Sequence, residues 1–112
     1  MAEPASPLAC RRDAFGESDR AEHRRFAGEL LAAVTDIEEL GDGYALRFPG
    51  KPFLFLRIAR WIELERACCS FLTIRLEFER PEPAYRVRLT GPDGAKDVIR
   101  TELLGLAPAT VK

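Results

Sequence analysis

Residues 71–90 restrict the fold most. From Phe71 to Glu79 the side chains alternate: Leu72, Ile74, Leu76 and Phe78 on one side, Thr73, Arg75, Glu77 and Glu79 on the other. A period of two is the mark of a strand with one buried face. Pro81-Glu82-Pro83 breaks the pattern, which resumes with Tyr85, Val87 and Leu89 facing in and Arg86, Arg88 and Thr90 facing out. The outward sides mix arginine with glutamate, as suits the solvated face of an antiparallel sheet held by cross-strand charge pairs. That face has no aromatic side chains to stack bases, so it is not read as an RNA-binding sheet.

A second strand pair precedes it. Val34–Leu40 and Tyr44–Phe48 flank Gly41-Asp42-Gly43, and Tyr44, Leu46 and Phe48 share one side. An Asp-Gly pair between strands predicts a tight hairpin turn with positive φ at both central residues. Pro49-Gly50-Lys51-Pro52 ends this pair.

Three segments have helical spacing. Ser18 is the expected N-cap of a first helix over about 19–33, with Phe26, Leu30, Leu31 and Val34 on its apolar side and His23 three residues before Phe26. His23 is read as a residue of the core margin. A second helix runs from about Pro52 to Cys68, with Leu54, Ile58, Trp61 and Ile62 as its stripe. A third opens at Pro92 in its first turn, carries Ala95, Val98, Ile99 and Leu103 inward, and stops at Gly105 and Pro108. Ordinary capping accounts for Thr90-Gly91-Pro92-Asp93-Gly94-Ala95-Lys96 better than an anion cradle, because Pro92 lacks an N–H and Asp93 repels anions.

The order is α-β-β-α-β-β-α. Each strand pair has one apolar face, so helices should cover one side of a four-stranded, mainly antiparallel sheet in a two-layer α+β domain. A crossover could leave the second and third strands parallel. Residues 1–17 read as an irregular arm, 18–106 as one domain and 107–112 as a tail.

Charge and composition narrow the function. The net charge of -1 offers no basic excess for nucleic acid. No apolar run approaches the roughly 18–20 residues of a membrane span. Met1-Ala2-Glu3-Pro4 does not read as a signal peptide. A cytoplasmic location is therefore expected, where three cysteines favour thiol chemistry or metal ligation over a structural disulfide.

The break in the pattern is Glu65. It falls in the middle of the apolar stripe of the second helix, with Cys68 and Cys69 three and four residues on, on the same side. A buried carboxylate is costly unless paired, hydrogen-bonded or protonated. Such breaks gather at functional sites. Adjacent cysteines resist a disulfide with each other, so they suit a soft metal or a third thiol, which Cys10 on the arm could supply. The candidate metal site is Cys10, Cys68, Cys69 and Glu65, for zinc or another thiophilic ion. No spaced C-x-x-C pairs occur.

Two other readings stand beside it. In a thiol redox or sensor protein, one cysteine beside Arg66 is the nucleophile, Cys10 the resolving partner, and Glu65 a proton acceptor. In a non-catalytic interaction domain, with a homodimer as one form of it, the cysteines are only core and Phe55, Leu56 and Leu64 mark the partner surface. In that reading Glu65 simply pairs with an arginine other than Arg66. No catalytic Ser–His–acid or Cys–His grouping is visible, so the chain reads as a binding protein rather than an enzyme.

Glu65-Arg66-Ala67-Cys68-Cys69-Ser70-Phe71-Leu72, with Leu89-Thr90-Gly91-Pro92-Asp93-Gly94-Ala95-Lys96 downstream, resembles a family of short bacterial proteins of uncharacterised function. The likeness extends to Cys10 in its Leu-Ala-Cys segment, and to Asp42-Gly43-Tyr44 with Leu46-Arg47-Phe48. An association with heavy-metal response implies that Cys10 belongs with Cys68 and Cys69, and implies nothing about mechanism.

Overall fold

The computed structural model describes residues 16–81 and 83–105; Cys10, with the rest of residues 1–15, and the C-terminal tail lie outside the described residues. The elements are α1 (Glu17–Ala33), β1 (Asp36–Glu39), β2 (Gly43–Pro49), α2 (Pro52–Cys68), β3 (Thr73–Glu79), β4 (Ala84–Thr90) and α3 (Ala95–Val98). A single π-helical turn, Ile99–Leu103, extends α3. This is the α-β-β-α-β-β-α order read from the sequence, and every strand pair is antiparallel.

The strands lie in the order β1-β2-β4-β3. β4 sits between β2 and β3, so the second and third strands run in the same direction without pairing. The parallel pairing left open by the sequence does not occur. β2 and β4 are central and most buried: Tyr44, Leu46, Phe48, Val87 and Leu89 form the sheet side of the core. Ile58, Trp61 and Cys68 of α2, Leu30 of α1 and Ile99 and Leu103 face them. Fully burying a side chain such as Ile58 or Leu46 contributes about 1.5–3 kcal/mol.

β3 is an edge strand and its inner face is only partly covered. Phe78, expected inside, is 65% exposed. It rests against Phe55 and Tyr85, with ring centroids 5.5 and 5.7 Å away. The outer face carries the expected charge pairs. Arg86 donates to Glu38 at 2.6 Å and to Glu77 at 3.1 Å, and Arg47 meets Glu79 at 2.8 Å.

Three local expectations fail. The turn at Gly41-Asp42-Gly43 has no positive-φ residue, since only Gly94 and Gly105 have one among the described residues. Leu40 N–H instead donates to Gly43 C=O, and Gly43 begins β2. Gly16, not Ser18, is the N-cap of α1, with no side-chain cap bond. The third helix starts late: Pro92 and Asp93 belong to a turn, Gly94 at φ 92° redirects the chain, and α3 begins at Ala95. Gly105, at φ 65°, follows the turn of Ile99–Leu103, at the stop expected for it.

α1 packs on α2. Arg60 of α2 joins them: its Nε and one terminal nitrogen donate to Glu22 at 3.0 and 2.7 Å, and that nitrogen also reaches Asp19 at 3.3 Å. The other nitrogen donates to Glu63 at 2.7 Å. The bonds to Glu22 and then Glu63 raise the guanidinium pKa, against a smaller desolvation penalty. The network is partly exposed, so salt should screen it. Arg60→Met is expected to lower the thermal midpoint at low ionic strength, and the gap to wild type should narrow in high salt. A gap that ignores salt would show that the stem of Arg60, not its charge, holds the helices.

Candidate functional site

α2 ends in the site. Its helical spacing carries Ile58, Trp61, Glu65 and Cys68 down one buried side. Cys68 is the last helical residue and Cys69 the C-cap, whose N–H donates to Glu65 C=O at 2.6 Å. Leu72 N–H then donates to Cys69 C=O, turning the chain into β3. The helix end therefore presents both neighbouring cysteines inward: Cys68 is 1% exposed and Cys69 0%.

Glu65 is 2% exposed, as the pattern break implied. Its partner is not an arginine. His23, on the inner side of α1, approaches Glu65 Oε2 with Nε2 at 2.9 Å, and its own exposure is only 6%. A carboxylate oxygen accepts and an imidazole N–H donates, which sets the direction of this bond. The other carboxylate oxygen, Oε1, lies 3.6 Å from Cys69 Sγ. Glu65 thus stands between an imidazole and a sulfur, one oxygen to each.

A Glu65 oxygen and the sulfurs of Cys68 and Cys69 all lie within 4.8 Å of one another. Tetrahedral zinc with Zn–S near 2.3 Å and Zn–O near 2.0–2.2 Å needs ligand atoms ~3.6–3.8 Å apart. A contraction of no more than ~1 Å would bring the three to that spacing. Two sulfurs and one oxygen make a donor set for borderline or soft ions, not for magnesium or calcium. Cys68 is a thiol, while Cys69 is disulfide-bonded. The form able to ligate through both is the reduced one.

Of the four residues named from sequence, the structure gathers Glu65, Cys68 and Cys69; Cys10 lies outside the described residues. The residue the sequence undervalued is His23. Its place three before Phe26 and seven before Leu30 put it on the inner side of α1. Only the packing of α1 on α2 gave it an acid 42 positions away. Of the residues offered as a partner surface, Leu56 is exposed, Phe55 is half-buried against Phe78 and Leu64 is buried.

No helix among the described residues is long and apolar enough to cross a membrane. The chain matches no family model, no curated protein and no solved structure.

Proposed function

We propose that the reduced protein binds a thiophilic metal ion, zinc or a heavier soft metal. Cys68, Cys69 and Glu65 are the ligands the geometry supports, and Cys10 of the arm is the third sulfur. One observation carries this reading: a carboxylate and two sulfurs converge in the core at the end of one helix. A core that only needed filling would not choose a carboxylate there, since burying one carries a desolvation cost that apolar side chains avoid.

Metal analysis of fully reduced protein tests the reading. Wild type is expected to hold about one ion per chain, and Cys68→Ser, Cys69→Ser and Cys10→Ser should each lose most of it. Oxidised wild type should hold none, because a disulfide sulfur is not a thiolate ligand. Reduced wild type that takes up no zinc, cadmium or copper(I) overturns the proposal.

The disulfide at Cys69 favours a second reading, a thiol switch. A dithiol reductant would return Cys69 and its partner sulfur to two thiols, leaving the reductant as a disulfide. Burial of Cys68 and Cys69 opposes fast exchange with large partners, because a thiolate must be reached to react. Alkylation kinetics separate the two. A switch requires one cysteine to react far faster than the others, whereas a metal site requires metal to protect Cys68 and Cys69 together.

A further inference from the structure

The two oxygens of Glu65 have different neighbours. Oε2 holds His23 Nε2 at 2.9 Å, and Oε1 lies on the sulfur side, 3.6 Å from Cys69 Sγ. Both residues of the pair are buried and come from different helices, so the carboxylate cannot turn without losing its bond across α1 and α2. We propose that His23 is a positioning residue: it occupies Oε2 and commits Glu65 to ligate through Oε1 alone. This rests on the metal-binding reading and narrows it. A site that includes one fixed carboxylate oxygen beside its thiolates suits a divalent ion of zinc type. A monovalent soft ion such as copper(I) is satisfied by thiolates and gains little from the oxygen.

His23 acts from outside the ligand shell, as the partners that orient metal ligands do. Removing such a partner costs about 10–100-fold in metal affinity. The effect should fall on zinc and spare copper(I), a split that a merely structural role would not produce.

The experiment titrates fully reduced wild type, His23→Leu and His23→Gln with zinc(II), and separately with copper(I) under argon against a competing chelator. Trp61, the sole tryptophan, lies one helical turn from Glu65, and its fluorescence is the readout. His23→Leu is expected to weaken zinc about 10–100-fold and to leave copper(I) within about threefold of wild type. His23→Gln, whose amide can donate to the same oxygen, should recover most of the zinc affinity. Equal loss of both ions, or no loss of zinc, overturns the role of His23. Wild type that binds neither ion overturns the metal reading itself, and with it this one. If His23→Leu does not fold, X-ray absorption on zinc-loaded wild type decides: sulfur plus one oxygen ligand without an imidazole signature is expected. An all-sulfur shell, or imidazole in the shell, overturns the proposal.

Discussion

His23→Leu is expected to destabilise the reduced, metal-free protein by about 3–5 kcal/mol, the usual cost of removing one member of a buried pair and stranding the other. Glu65 would lose its 2.9 Å partner and be left with the more distant sulfur of Cys69 at 3.6 Å, in a site 2% exposed. Domains of this size have about 5–15 kcal/mol of stability in all, so the variant should fold with a much lower urea midpoint. His23→Leu combined with Glu65→Leu should recover most of the loss, because an apolar pair of similar volume avoids the desolvation cost altogether. The two changes are therefore strongly non-additive, as contacting residues are. A double variant no more stable than His23→Leu would mean that the pair does not account for the cost.

Gly43→Ala is the second large effect. An added Cβ at position 43 would lie 1.8 Å from Leu89 O and 2.9 Å from Leu89 C and Thr90 Cα. All three are backbone atoms of β4, the strand paired directly with β2. Relief would require parting the end of the β2–β4 ladder, where Gly43 pairs with Thr90. A cost of about 3 kcal/mol, at the upper end for overpacking, is expected in urea unfolding. Gly28→Ala makes the contrast. Gly28 lies inside α1 with nothing within 4 Å of a new Cβ. There alanine should stabilise by about 0.5–1 kcal/mol, because the helix no longer orders a glycine. If both substitutions cost alike, close approach at Gly43 is not what selects glycine there.

Local pattern carried much of the fold. The limits that the sequence predicts for α2, about Pro52 to Cys68, are the observed ones, because a proline start and an apolar stripe are both short-range signals. The strands followed from alternation, and Gly105 stopped its helix where expected. The errors were also local. The Asp-Gly pair predicts positive φ from a frequent hairpin type, whereas Gly43 is glycine for lack of room beside Leu89. Pro92 has the signature of a first helical turn, yet the helix begins only after Gly94. Phe78 has the alternation of a core residue, and alternation does not say whether a strand is central or at an edge.

The chain alone determined that a helix would bring Glu65, Cys68 and Cys69 to one buried end, since spacing of three and four residues on a helix leaves no other arrangement. Tertiary structure decided that β4 separates β2 from β3, and that the partner of Glu65 is His23. Both join residues far apart in the chain, and periodicity along one element says which side is buried, not what will be waiting there.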